Sequence, residues 1–481
     1  MPRTPPPEGW RSLLEWRWMP TLAILLGGVL LQSMNVLMLT TVLPSIIGEL
    51  GGVAMLSWPT TAFLAASIVA ASCAGMIAAA VGARTAYCAG VTIFGLGALV
   101  CALAPTMGWI VIGRLIQGFG GGLEAAAAYV AVRATFPAAL WSRAIALMSA
   151  SWSMSVLLGP LAGGMFARFG NWRGAFVTTA IVAGLLAVSA FVVLPPGPAR
   201  RRGPTVVVPA GRVALICVAI AGMSSASIVE APLAKAGLIV FAIGALAAML
   251  RLDRVAVTPL LPRDAFSLRT PSGLGLWLAF LLCVTFSPLQ IYVPIFLQHL
   301  RGLDPLAAGF MVASGSLGWT MASLVTASAS GAWPDRLMLA GPAVMGAGLI
   351  ALAVLLSSSA PTLALVPAIV ALGMGIGQCW PFVAHRIMSG AKAGDEVVAA
   401  SSVATVQQMG FALGAALAGV VANGIGFSAD LADGGMLQAA FWVPASFVVP
   451  AVLAGLASLR LRQLGGPEAV GRISGTRRAD G

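Results

Sequence analysis

Apolar runs of about 20 residues recur along this chain, and that recurrence decides what it can fold into. Fourteen can be read, over residues 20–43, 56–80, 85–105, 107–131, 145–167, 174–195, 212–229, 234–251, 273–297, 306–328, 337–357, 361–385, 398–424 and 437–459. A helix needs about 20 apolar residues to cross the hydrocarbon core of a bilayer. Only 9% of the 481 residues are charged, against about 25% in a water-soluble domain. The expected fold is therefore an all-α polytopic membrane protein.

Charge placement orients it. With the N-terminus in the cytoplasm, the alternation puts only Arg168, Arg173, Lys235 and Arg301 on the far side, and Arg114 inside a span. All other lysines and arginines fall on the cytoplasmic side, as the positive-inside rule requires. The net charge of +12 is thereby read as membrane topology, and a nucleic-acid partner is set aside. Both termini are expected in the cytoplasm. Spans 1–6 and 9–14 read as two six-helix bundles, and spans 7 and 8 as an inserted pair joined by a short Glu230–Lys235 turn. The expected division is an interfacial N-terminus (1–19), an N-terminal bundle (20–196), linkers with the inserted pair (197–271), a C-terminal bundle (272–460) and a disordered cytoplasmic tail (461–481). Residues 5–18, with Trp10, Trp16 and Trp18, read as a short interfacial helix. The first apolar run exceeds a signal-peptide core and reads as a retained span.

The six cysteines lie in or beside apolar runs without metal-ligand spacing, and the two histidines, His299 and His385, are too few for a His-rich site. No disulfide, metal or cofactor is expected. No Ser/His/Asp grouping or phosphate loop suggests an enzyme.

The most informative stretch is 107–176. Its first run, MGWIVIGRLIQGFGGGLEAAAAYVAV, carries Arg114, Gln117 and Glu124, although a charge inside a membrane helix costs about 2.5–3.5 kcal/mol on insertion scales. Gln117, Gly121 and Glu124 recur at i, i+4 and i+7, and Arg114 lies three residues before Gln117, so they form a polar stripe on one face. The second run holds Gly159-Pro160 and Gly163-Gly164, which weaken and kink a helix. Neighbouring helices or a polar cavity must satisfy the groups so freed.

These residues resemble two motifs of the major facilitator superfamily. GRLIQGFGGG is similar to its fourth-span motif, matched at Arg114, Gln117, Gly118 and Gly120. GPLAGG is similar to its fifth-span antiporter motif, matched at Gly159, Pro160, Gly163 and Gly164, and followed by a fitting Asn171-Trp172-Arg173 and Phe176. The fourteen-span count, TPLLPRDAF (Thr258–Phe266), YVPIFLQHLRGLDPLAAGF (Tyr292–Phe310) and SSVATVQQMGFALGAAL (Ser401–Leu417) resemble the drug:proton antiporter branch. The resemblance implies two bundles rocking about a midplane site to give alternating access, driven by the proton gradient.

Glu124 is the only carboxylate well inside an expected span, and the candidate proton-coupling or cation-binding group. The bland reading is a structural carboxyl, hydrogen-bonded or paired with Arg114. The resemblance gives Arg114 a role in orienting the first span and handling protons; the alternative is an arginine snorkelling to the interface. Asn35, in MNVLMLTTVLP, stands where the branch has an acid, which throws more weight on Glu124. GMIAAAVGART (Gly75–Thr85) occupies the place of the family's cytoplasmic lock and keeps Gly75, Gly82 and Arg84. Ala79 replaces the usual Asp, and Asp335-Arg336, after span 10, is the candidate substitute. The Gly-Pro motif fits close approach and a kink at the bundle interface, or generic small-residue packing.

Trp152, Gln290, Tyr292, Gln378 and Trp380 lie in spans whose family counterparts line the central cavity. With Asn35 and Gln117 they are the candidate substrate contacts, suited to amphipathic compounds and to cations through ring faces; each is equally readable as packing. His299 and His385 read as interfacial. The expected function is proton-coupled export of amphipathic or cationic small molecules by a monomer in a bacterial cytoplasmic membrane. The alternatives are a narrow substrate class (lipid, siderophore or metabolite) and a transport-inactive sensor or assembly protein.

Overall fold

The computed structural model describes residues 9–52, 55, 58–196, 209–229, 231–425 and 435–465. After a one-turn helix α1 (Trp10–Leu13), six long helices make an N-terminal half: α2 (Met19–Leu50), α3 (Trp58–Val81), α4 (Ala83–Ala102), α5 (Met107–Thr135), α6 (Ala138–Arg168) and α7 (Trp172–Val193). A hairpin follows, α8 (Ala210–Ile228) and α9 (Pro232–Arg254). The C-terminal half comprises α10 (Pro271–Arg301), α11 (Pro305–Thr326), α12 (Trp333–Ser357), α13 (Leu365–Ser389), α14 (Glu396–Gly424) and the consecutive pair α15 (Gly435–Ser446) and α16 (Val448–Gly465).

Among the described residues there is no strand, and thirteen helices are long and apolar enough to cross a membrane, α15 and α16 counting as one. The segment expected as span 7 is helical, as α8, but is not among those thirteen. Among the described residues of the expected interfacial helix, only α1 is helical, and Trp16 is 88% exposed. Residues 1–8, the arginines of 200–202, Glu230 and the tail beyond Gly465 lie outside the described residues. The last span breaks at Phe447 because Pro450 has no N–H to give the Ser446 carbonyl.

The two halves repeat one packing scheme. In the first, α3 and α4 flank α5, α2 packs on α6, and α4 packs on α7; in the second, α11 and α12 flank α13, α10 packs on α14, and α12 packs on α16. Small residues make this possible. A side chain at Gly118 or Gly122 would strike the α3 backbone at Phe63 or Ser67, and one at Gly120 would strike α4 at Gly90 and Phe94. In α13, Gly377 abuts Trp319 of α11 and Gly375 abuts Gly341 of α12. Close backbone approach through small residues is how membrane helices gain dispersion energy without a hydrophobic drive. The hairpin is clipped at its open end. Asp253, 2% exposed, accepts from Arg212 and from the backbone N–H groups of Leu260 and Leu261, each at 2.9 Å.

Candidate functional site

The polar stripe of α5 faces the interior of the N-terminal half. Residues 28, 32 and 35 of α2 repeat the i, i+4, i+7 spacing, and the two stripes meet in opposite order. Gly28 lies against Glu124, Gln32 against Gly121 (a Gly121 side chain would stand 3.0 Å from the amide nitrogen), and Asn35 against Arg114.

Arg114 is fully buried. Its Nη1 donates to Asn35 Oδ1 at 2.6 Å and Gln117 Oε1 at 3.1 Å, and its Nε to the Pro59 carbonyl at 3.4 Å. The Phe63 ring lies 4.3 Å from the guanidinium carbon, a cation–π contact. Asn35 in turn donates to Thr179 of α7 at 3.5 Å, and Thr179 donates to Ala175 O at 2.9 Å. Every acceptor of the guanidinium is neutral. Arg114 Nη2 and Gln117 Nε2 are buried with no acceptor, an arrangement that buried polar groups rarely show. This is not a snorkelling arginine, because its head points inward. It does not pair with Glu124 either, since ten helical residues separate the two by about 15 Å.

Glu124, 3% exposed, sits among residues of α2, α4, α5 and α7. Beside it are Gly28 and the Tyr87 hydroxyl. Tyr87 gives its proton to the Ile24 carbonyl at 2.9 Å, and neither Glu124 oxygen receives a hydrogen bond of ordinary geometry. A small cavity lined by Gly28, Gln32, Phe94, Gly121, Glu124 and Leu186 has room for about one water molecule. Sequence reasoning missed Gly28, Gln32 and Tyr87, although Gly28, Gln32 and Asn35 carried the same spacing as the α5 stripe.

The other expected residues scatter. Gly159 and Gly163 pack α6 onto α2 at Leu37, Met38 and Thr41. The Gly-Pro motif therefore serves a seam inside the N-terminal half and not the interface between bundles, and Gly164 faces open space, with Pro160 partly buried inside α6. Arg84 donates to Phe191 O of α7 at 3.4 Å, again within one half. Asp335 pairs with Arg386 of α13 at 2.6 Å, and Arg336 stacks on Trp333. Gln378 donates to Leu337 O of α12 at 3.4 Å, turning away from the N-terminal half. Trp152 and Gln290 are exposed and Tyr292 is half-buried. His299 is exposed, its ring beside the Ile295 carbonyl.

Trp380, 1% exposed, belongs to the seam between the halves, where it donates to Tyr129 Oη at 3.2 Å. In the same seam Arg133 donates to Met388 O, the Trp141 and His385 rings lie 5.5 Å apart, Arg143 donates to Ser328 at 3.3 Å, and Ser153 donates to Ser316 O at 2.7 Å. Gly75 packs on Val398 and Ser401 of α14. These contacts run from Ser153 to the end that carries Arg133, Arg143 and Arg386. Beyond Ser153 toward the other end, α6 makes no hydrogen bond to the C-terminal half among the described residues. No group of three or more His, Cys, Asp or Glu able to hold a metal occurs among them.

Two halves of repeated helix packing, with a polar stripe buried in the first, suit a secondary transporter. The family model of the Major Facilitator Superfamily matches residues 25–419, and the chain belongs to that family of membrane transporters. It is similar to a "probable multidrug-efflux transporter" of Mycobacterium tuberculosis, 36% identical over 93% of this chain and 95% of that protein. It is 25% identical to the multidrug transporter protein MdtP of Bacillus subtilis, over 80% of this chain and 71% of that one. Its fold is that of the proton:xylose symporter XylE, with a TM-score of 0.65 at 14% identity over 91% of this chain and 94% of that one. It is likewise that of a human organic anion transporter, with a TM-score of 0.68 at 14% identity, over 92% of this chain and 99% of that one.

Proposed function

We propose that the protein is a proton-coupled exporter of amphipathic or cationic small molecules, working by alternating access. In this reading it has fourteen spans, α8 included, both termini lie in the cytoplasm, and it is a monomer in a bacterial cytoplasmic membrane. Its arginine-rich seam is then the closed cytoplasmic side of an outward-open state. The multidrug names of its bacterial relatives support the substrate class.

The observation that carries the coupling is Glu124, a buried carboxyl whose oxygens accept no hydrogen bond and which no cation pairs with among the described residues. Protonated, it can donate to the Tyr87 oxygen, whose own proton goes to Ile24. Ionised, it is an uncompensated charge between α2, α4, α5 and α7, which is costly in a dry interior. Proton loss therefore favours a packing in which α2 parts from α5 and water reaches the carboxylate. α2 packs on α6 through Gly159 and Gly163, and α6 meets α11 at Ser153 and Ser316, so a shift of α2 reaches the seam between the halves.

The test is proton movement in inverted, energised vesicles challenged with a panel of lipophilic cations. Proton efflux evoked by substrate in wild type and absent in Glu124→Gln supports the reading. Efflux that survives in the variant moves the coupling group elsewhere, and silence toward every compound removes the multidrug assignment.

A further inference from the structure

Between the hairpin and the C-terminal half lies a second cavity, of about 70 Å³ and open on one side. Its walls include Ala219 and Met223 of α8, Ile243 and Leu246 of α9, Phe280 of α10 and Met409 of α14. Sites for small polar ligands place a few polar groups to orient what they bind. Here every lining residue is Ala, Ile, Leu, Met or Phe, so the occupant is a hydrocarbon held by shape alone. The mouth is lateral. Ile243 lines the cavity and is 56% exposed, and its neighbours Val240 and Phe241 are exposed on the same hairpin helix.

One face of α9 continues from that mouth to the arginine-rich end. Arg254 stands eleven residues after Ile243, three turns on and within about 20° of the same direction, a rise of about 16 Å. That is close to half the thickness of the hydrocarbon core, about 15 Å. The neighbouring arginine on α8, Arg212, is neutralised by Asp253. Arg254 is exposed, belongs to no ion pair among the described residues, and gives one bond, to Ala265 O at 3.3 Å. Its planar fork is left with donors for a phosphate.

We propose that this cavity is a lipid site: a segment of one acyl chain of an anionic phospholipid enters the space between α8, α9, α10 and α14, the rest of the chain lying along α9 with the phosphate held at Arg254. Basic groups at the membrane surface above an inter-helix pocket are suited to such head groups. The lipid would fill what the hairpin leaves open against α14, the helix that also meets α3 across the two halves. This assignment does not depend on proton coupling or on the identity of the cargo.

Native mass spectrometry of the full-length protein, washed in detergent and offered equal palmitoyl-oleoyl phosphatidylglycerol and phosphatidylcholine, tests it. One phosphatidylglycerol should be retained per chain in preference to phosphatidylcholine. Arg254→Gln should reduce that preference roughly five-fold, and Ala412→Trp, which fills the cavity from α14, should abolish retention of both. Should the tryptophan variant not fold, Ala242→Leu gives the milder filling. Equal retention of the two lipids, retention untouched by either cavity filling, or displacement of a bound apolar compound in place of lipid overturns the proposal.

Discussion

Arg114 donates to Asn35 across 2.6 Å, tying α5 to α2 by a bond in which one partner alone is charged. An acid at position 35 would make the same bond an ion pair, so the asparagine leaves a guanidinium in the interior of the bundle with neutral company.

Removing that acceptor should be costly. Asn35→Ala is expected to lower stability by about 2 kcal/mol, the scale of a hydrogen bond to a charged group, whereas Asn35→Asp should be at least as stable as wild type. Denaturant titration of the purified protein in detergent measures both. Arg114→Lys should not substitute, because one ammonium cannot serve three separated acceptors in the plane of a guanidinium.

Gly28 and Gly27 give a neighbouring pair with opposite outcomes. A methyl at Gly28 would collide with the Tyr87 hydroxyl and the Glu124 carboxyl, whereas one at Gly27 meets only Leu186 Cδ1 at 3.4 Å. Gly28→Ala should abolish substrate-evoked proton movement and cost about 1–3 kcal/mol in overpacking. Gly27→Ala should leave both unchanged. Vesicle proton flux and thermal unfolding, read on the two variants together, decide it.

The fifth-span glycines separate in the same way. Gly159→Ala drives a methyl to 2.7 Å from Leu37 Cβ, and Gly163→Ala meets Met38 O at 2.8 Å. Each should lower the unfolding temperature and the transport rate. Gly164 has no atom within 4 Å of the position, and Gly164→Ala should behave as wild type in both assays.

Tyr129→Phe removes the acceptor of Trp380 Nε1 while keeping the ring. With a net worth of about 0.5–1.5 kcal/mol for that bond, the closed arrangement of the seam should lose between two-fold and about ten-fold in population. Labelling of a cysteine placed at Ala384, 1% exposed, in a background without the six native cysteines, should rise by that factor toward a polar maleimide.

Much of this architecture is legible in the sequence, because a membrane helix must be apolar for about 20 residues and few other elements are. Reading apolar runs finds the part of a helix in hydrocarbon and loses what projects beyond it. α2 runs on through Pro44 to Leu50 where the apolar count stops at 43. α6 begins at Ala138, and Arg143, polar by composition, finds partners at Ala139 O and Ser328.

The stripe of α5 is legible for a related reason: helical period fixes which residues share a face. Period does not say what that face meets. The inward direction of Glu124, the company of Tyr87 and Gln32, the turn of Gln378 toward α12 and the packing of Gly159 on α2 all depend on which helices are neighbours, and that is a property of the bundle.

The seclusion of Glu124 has a consequence for how such a chain can diverge. The carboxyl is walled in by α2, α4 and α7, with no residue of the C-terminal half beside it, while Trp152 and Gln290 are open to their surroundings elsewhere. If Glu124 carries the coupling, as proposed, and Trp152 and Gln290 meet the cargo, cargo preference and energy supply rest on separate sets of side chains. On that reading, descendants of this chain are free to exchange one passenger for another by substitutions remote from Glu124, with the engine inherited intact.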